Sequence, residues 1–374
     1  MKVGIDCRLW NQTGVGRYIR NLVLELSLID KENQYVLFVR PQDAEQVRSL
    51  IHKQSLRADA LNSKFIIQEV DIRWHSLSEQ LTFGKILNKH NLDLVHFPYF
   101  SHPISYNRPF VVTIHDLIIN HFSTGRASTL PLPFYYLKRF GYQKVLDHAV
   151  KNAQKIIAPL NCVRDDIVKM LTVPSNKIAV TVEGFDSSIT KGEVSEKVSE
   201  VAKSPYFLYV GNAYPHKNLE KLIEGFEKLN SKKEKLLLVG KEDFFYKRLR
   251  KEKYSNVVFL HDVSDAELYY LYANSIAAVT ASLMEGFGLL PLEAIGSGTI
   301  PLVSNISAFK EVCEDNAIYF DPSDTDDIAE KLQFVKGLTK EEREEIIQKS
   351  KGLLKNFSWR KMAEETLKIY QASA

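Results

Sequence analysis

Residues 277–304, AAVTASLMEGFGLLPLEAIGSGTIPLVS, hold a complete strand, loop, helix and strand in 28 positions. Ala277 to Thr280 and Ile300 to Val303 are short apolar runs suited to buried strands. Between them Gly286 and Gly288 allow a tight backbone with exposed amides, and Pro291 suits a first helical turn, where no N–H is needed. A helix start of this kind can hold a phosphate. Glu285 then falls in the loop and Glu293 inside the helix, so the two carboxylates serve different parts of a ligand rather than forming one acid–base pair. Carboxylates accept well from vicinal hydroxyls. Taken alone, the same residues also make an ordinary turn with two surface glutamates.

Outward from this stretch the same rhythm repeats. Strand-like runs fall at Val3 to Cys7, Tyr35 to Val39, Lys64 to Glu69, Asp93 to Phe97, Phe110 to Ile114, Lys155 to Pro159 and Lys177 to Val182. A second series follows at Tyr206 to Val210, Leu236 to Val239, Val257 to Leu260 and Ile318 to Phe320. Helical spacing lies between them, as in Tyr18, Leu22 and Leu26 or Val163, Ile167 and Leu171. Alternation of strands and helices implies parallel sheets covered by helices. A chain of 374 residues exceeds one ordinary core, so two α/β domains are expected: 1–186 and 205–357, joined by a Ser-, Lys- and Glu-rich linker at 187–204. The last segment puts Met362, Thr366, Leu367 and Tyr370 on one helical face, and a helix at about 358–374 should pack back on the first domain.

In open parallel sheets ligands gather beyond the carboxyl ends of strands. Three more loops qualify. Gly14, Val15 and Gly16 open the first helix, where glycines fit either a tight turn or an approaching anion. His115 and Asp116 follow the run Val111 to Ile114 and make either a cleft-facing pair or a loop histidine bonded to its neighbour. Gly211 to Asn218 ends with Lys217 at a helix N-terminus, where the dipole disfavours a cation unless an anion joins it. The D-x-D at Asp324 to Asp326 reads as a helix cap rather than a metal site.

Composition excludes several classes. With 45% hydrophobic and 25% charged residues the chain is not of the disordered kind. Cys7, Cys162 and Cys313 have no metal-ligand spacing, and no apolar run approaches the roughly 18 residues that cross a bilayer. No signal-peptide pattern opens the sequence, so a cytoplasmic protein is expected, at the inner face of the membrane if it meets one. Residues 1–187 hold 23 Lys and Arg against 17 Asp and Glu, while 188–374 hold 26 against 29. That basic first half suits an anionic lipid surface or phosphorylated substrate, or is merely solvated; dispersed charge argues against nucleic acid. Leu130 to Tyr142 has the make-up of an interfacial helix, unless its aromatics cover the sheet while Lys138 and Arg139 face water.

Glu285 and Glu293 within EGFGLLPLEAIGSGTIPLVS, together with GVGRY, His115-Asp116 and YVGNAYPHKNLEKLIEGF in that order, resemble glycosyltransferase family 4. The resemblance implies a GT-B fold: two Rossmann-like, doubly wound α/β domains facing a central cleft. It also implies transfer of a hexose-type sugar from a nucleoside diphosphate sugar to a hydroxyl acceptor, with retention and with neither catalytic metal nor cofactor. A saccharide or lipid-linked saccharide, such as a cell-surface polysaccharide or glycolipid precursor, would be the acceptor. By the resemblance, Glu293 would bind the ribose, Glu285 a sugar hydroxyl, and the amides of Phe287, Gly288, Leu289 and Leu290 the sugar and phosphate. Lys217 would neutralise the diphosphate, His115 would reach the sugar and its phosphate, Val263 would lie near the base, and Gly14 to Gly16 would close over the diphosphate. Asn212 stands where many relatives carry a second basic residue, which shifts charge neutralisation toward Lys217. Leu290 also departs from the usual pattern. Within the fold, an epimerase or phosphorylase is the nearest other enzyme; a sugar-nucleotide-binding protein without transferase activity is the alternative from another class.

Overall fold

The computed structural model describes residues 1–55, 64–122, 132–185 and 192–374. The chain divides into two compact units: Met1–Leu117, Ser128–Gly184 and Ser358–Ala374 form the first, Ile118–Ala127 and Phe185–Phe357 the second.

The first unit holds a parallel sheet of β1 (Lys2–Asp6), β2 (Gln34–Val39), β3 (Phe65–Glu69), β4 (Leu94–Phe97), β5 (Phe110–Thr113), β6 (Lys155–Ala158) and β7 (Ile178–Val180). Its order is β3-β2-β1-β4-β5-β6-β7. The order reverses between β1 and β4, which is where ligands enter folds of this kind. On one face the helix Thr13–Ile29 buries Tyr18, Ile19, Leu22, Val23 and Leu26. Each fully buried Leu or Ile there contributes about 1.5–3 kcal/mol.

The closing helix Trp359–Ser373 joins the same core through Trp359, Met362, Ala363 and Tyr370. Its start rests on Gly184, where a Cβ would come within 2.2 Å of the Trp359 backbone nitrogen. The Tyr370 hydroxyl meets His96 Nδ1 at 2.6 Å in the core. Nearby, Arg8 is buried between Asp6 and Glu79, 2.6 Å from each, and pins the 72–79 loop beside β1.

The second unit repeats the plan with β8 (Tyr206–Val210), β9 (Lys235–Val239), β10 (Val257–Leu260), β11 (Ala277–Thr280), β12 (Pro301–Ser304) and β13 (Ile318–Phe320). All pairs are parallel, in the order β10-β9-β8-β11-β12-β13. Here the reversal falls between β8 and β11. Of the stretch expected as a linker, residues 187–191 lie outside the described residues. Beyond it, the helix Glu196–Val201 buries Val198 in the second core, and Ser195 donates to Glu267, so this part is built into the second unit. Val194, Val201 and Ala202 pack beside it, but four small apolar residues among Ser, Lys and Glu are too weak a periodic signal to read beforehand.

Candidate active site

The loops after β8 and β11 meet because those strands are neighbours at the reversal. Pro215–Lys217 forms one 3-10 turn, and Asn218 ends it at φ +58° before the helix Leu219–Lys228 begins. Asparagine tolerates this left-handed conformation better than most residues. Its side chain donates to the Pro322 carbonyl at 2.7 Å, which anchors the turn. Lys217 is thereby held just ahead of the helix rather than within it.

Lys217 Nζ donates to both oxygens of Glu285, at 2.6 and 2.8 Å. Ser282 Oγ donates to Glu285 Oε1 at 2.7 Å and lies 3.0 Å from Thr280 Oγ1. A backbone bond from Leu283 N to the His216 carbonyl, 2.8 Å, ties the two loops together. Burial pushes the Glu285 carboxyl up, but Lys217, Ser282 and His216 outweigh it and hold the group below its ordinary range. His216 goes the other way: burial and the adjacent Lys217 push it down to about 4, so it is neutral near pH 7. Oε1 already has two donors and Oε2 one, which leaves Oε2 able to accept from a ligand hydroxyl.

Glu293 lies in the helix Leu290–Gly296, 8% exposed, and its Oε2 accepts from the buried Tyr272 hydroxyl at 2.8 Å. Pro291 occupies the first turn. Gly288 has φ +86°, and a Cβ there would come within 2.5 Å of the Phe309 ring, so conformation and space both demand glycine. Phe287 and Leu290 are buried, the former edge-on to Phe357 at 5.8 Å, and Leu289 is half-buried. Asn212 braces its own loop: its side-chain oxygen accepts from Tyr214 N and its carbonyl from the Tyr209 hydroxyl. Val263 packs partly against the second core after β10. Asp324 accepts from the backbone of Asp326 and Asp327 and caps the helix Thr325–Gly337.

In the first unit Gly14 is exposed, Val15 half-buried and Gly16 buried. A Cβ on Gly16 would come within 2.4 Å of the Trp10 carbonyl, so close packing against its own loop explains that glycine, whereas Gly14 has open space. His115 follows β5, and both of its ring nitrogens are engaged: Nδ1 lies 3.1 Å from Glu183 Oε1 and Nε2 lies 2.9 Å from the Pro98 carbonyl. Tyr18 stands edge-on to the ring at 5.0 Å. Tyr272, Ser282 and Glu183 escaped the sequence reading. Ser282 alone had a local signal, three residues before Glu285; the other two are reached only through the fold.

A profile described as "Glycosyltransferase Family 4" matches residues 13–188, and one described as "Glycosyl transferases group 1" matches residues 190–352. The chain is 29% identical to the O-antigen chain mannosyltransferase RfbU of Salmonella typhimurium, the match covering 67% of each chain. It is 26% identical to the O-antigen chain mannosyltransferase B of Escherichia coli, over 96% of each. The Anabaena protein Alr3699/HepE, solved in complex with UDP and glucose, shares the fold at a TM-score of 0.73 and 15% identity over 100% of each chain. The two profiles adjoin and together take in the second sheet, all of the first but β1, and every motif loop described above, and the chain belongs to glycosyltransferase family 4.

Proposed function

We propose that this glycosyltransferase moves mannose from a nucleoside diphosphate to a hydroxyl of a saccharide or lipid-linked saccharide acceptor, a cell-surface polysaccharide precursor, with retention of configuration. The observation that carries this reading is the Lys217–Glu285 pair at the reversal between β8 and β11, with the amide-rich loop Gly286–Leu290 beside it. A departing diphosphate gains negative charge as the sugar becomes oxocarbenium-like, and fixed donors stabilise that charge without reorganising. Lys217 and the loop amides supply such donors. Glu285 Oε2 takes a sugar hydroxyl and Glu293 the ribose. In same-face transfer the acceptor oxygen bonds to the anomeric carbon as the bond to phosphate breaks, and the acceptor proton passes to the leaving phosphate. The mannosyl assignment draws on the two O-antigen relatives.

A ligand that binds only the folded state raises its stability. One nucleoside diphosphate among GDP, UDP and dTDP is therefore expected to raise the melting temperature, and its mannose conjugate to support transfer that persists in excess EDTA. Turnover with a different sugar, or transfer abolished by EDTA and restored by magnesium, would refute the corresponding part of this reading.

We further infer that the first unit touches an anionic lipid surface. The helix Leu132–Asn152 packs Leu146, Ala149 and Val150 inward, yet Phe134, Tyr136, Leu137 and Phe140 are 62–69% exposed. These side chains do not cover the sheet. Leu77 and Leu81 are exposed on a neighbouring segment, linked through Phe100, whose ring lies 5.1 Å from His75 and 4.8 Å from Tyr142. Lys138 and Lys144 are exposed on the same helix. Apolar side chains among basic ones are the make-up of an interfacial helix. Among the described residues no helix is long and apolar enough to cross a membrane. The protein is expected to sediment with phosphatidylglycerol vesicles more than with phosphatidylcholine vesicles, and Leu137→Ser with Phe140→Ser to lower the bound fraction severalfold. Equal absence from both pellets would defeat the idea.

A further inference from the structure

His115 is set at the carboxyl edge of the first sheet by four separate pieces of chain. It follows β5; Pro98, which follows β4, turns its carbonyl to Nε2; Glu183, which follows β7, turns its carboxylate to Nδ1; and Tyr18 of the first helix braces the ring face. The side chains of His115 and Glu183 are 11% and 7% exposed. A neutral imidazole has one N–H and one bare nitrogen, so it can satisfy only one of two acceptors. Here both neighbours are oxygens that only accept. The ring that satisfies this cage carries a proton on each nitrogen.

We propose that Glu183 is a positioning residue that keeps His115 doubly protonated, holding the imidazole as a fixed ion-paired cation rather than a group that exchanges protons. Neither nitrogen keeps a lone pair, so the ring does not act as a general base. Its protonation state enters the transfer reaction through the pH dependence of kcat, and in this respect the inference rests on the function proposed above. The other titratable groups around the ring are consistent with a cation. Asp116 adds negative charge, His96 on β4 is held near 3 by burial and is neutral, and the buried Tyr18 keeps its phenolic proton. Burial disfavours the charged ring, but Glu183, the Pro98 carbonyl and Asp116 outweigh it and place His115 above the ordinary histidine value.

The raised pKa has a definite sign. The stabilisation from this pair is fully present below the unfolded histidine value and is lost as the pH rises through the folded one. Glu183→Gln removes the charge but keeps an oxygen that can still accept from Nδ1, and Glu183→Asp keeps the charge.

Histidine 15N and 13C NMR titration of the full chain, with His115→Gln to assign the signal, requires no substrate. The expected result is an imidazolium at pH 7 in the wild type and a fall of at least about one pH unit in the His115 midpoint in Glu183→Gln, a tenfold change in protonation equilibrium. A neutral His115 at pH 7, or an unmoved midpoint in Glu183→Gln, would overturn the proposal. In transfer assays, the alkaline limb of kcat should move to lower pH in Glu183→Gln and return in Glu183→Asp, with KM for the donor little changed. A purely structural role predicts a lower melting temperature with an unmoved pH profile, and that outcome would also overturn it. Absence of transfer in the wild type would instead count against the function, leaving the NMR result to decide the protonation.

Discussion

Lys217→Ala is expected to reduce transfer at least tenfold while the protein still folds. The ammonium is shared between both oxygens of Glu285, immediately before the loop Gly286–Leu290. Losing a charge-assisted hydrogen bond to the leaving diphosphate costs about 1.5–3 kcal/mol, or roughly 10- to 150-fold in rate. Stability falls as well, because Glu285 loses its partner while largely buried. Removing one member of a buried pair costs about 3–5 kcal/mol, and the low end applies here since the side chains are 15% and 12% exposed.

The pH dependence separates the two effects. With Lys217 present, the Glu285 carboxyl is held low, so its contribution to stability is present above the unfolded carboxyl value and is lost as the pH falls through the folded one. Without Lys217, burial acts with far less opposition and favours the protonated acid. The stability gap between wild type and Lys217→Ala should therefore narrow on acidification, as read by denaturant melts across pH. Lys217→Met with Glu285→Gln should recover stability but not activity. An activity change below about threefold in Lys217→Ala would remove the lysine from the mechanism.

Glu285→Gln and Glu293→Gln should fail in different steps. Glu285→Gln keeps the loop and Ser282 but weakens the hold on Lys217 and on the sugar hydroxyl. Nucleoside diphosphate affinity is expected within about threefold of wild type, with the transfer rate lower by the roughly 100-fold typical of a lost electrostatic contact at a reacting centre. Glu293→Gln should instead weaken nucleotide binding by about tenfold or more, since a ribose hydroxyl loses a charged acceptor. Glutamine is the better probe than alanine because its carbonyl can still accept from Tyr272. Alanine would leave that buried hydroxyl unsatisfied, at about 1–3 kcal/mol, and confuse affinity with stability. Tyr272→Phe tests whether the hydroxyl orients Glu293: affinity should fall less than in Glu293→Gln. Calorimetry with the nucleotide and initial-rate assays distinguish the two carboxylates, and equal loss of affinity in both variants would sink the division of roles.

Local order was legible in the linear chain. The succession of apolar runs and helical spacing announces two parallel sheets, because a buried strand and an amphipathic helix leave different periods in as few as five to twelve residues. Pro291 in its first turn, Asp324 as a cap and the inward face of Met362, Thr366 and Tyr370 are of the same kind, each decided within a few residues. Gly288 was also readable as a tight turn, though not the Phe309 ring that fills its missing side chain. The motif glutamates and Lys217 could be named as candidates for one site. That Lys217 binds Glu285 itself depends on β8 lying beside β11, and strand order is not written in any one segment. Glu183 and His115 stand 68 positions apart without a motif to join them, and Tyr272 reaches Glu293 from another helix. The helix Leu132–Asn152 shows the limit most clearly: two of its faces are apolar, so periodicity cannot say which one meets the sheet. Tertiary packing decides it, because burying Leu146, Ala149 and Val150 against the first core leaves Phe134, Leu137 and Phe140 to the outside.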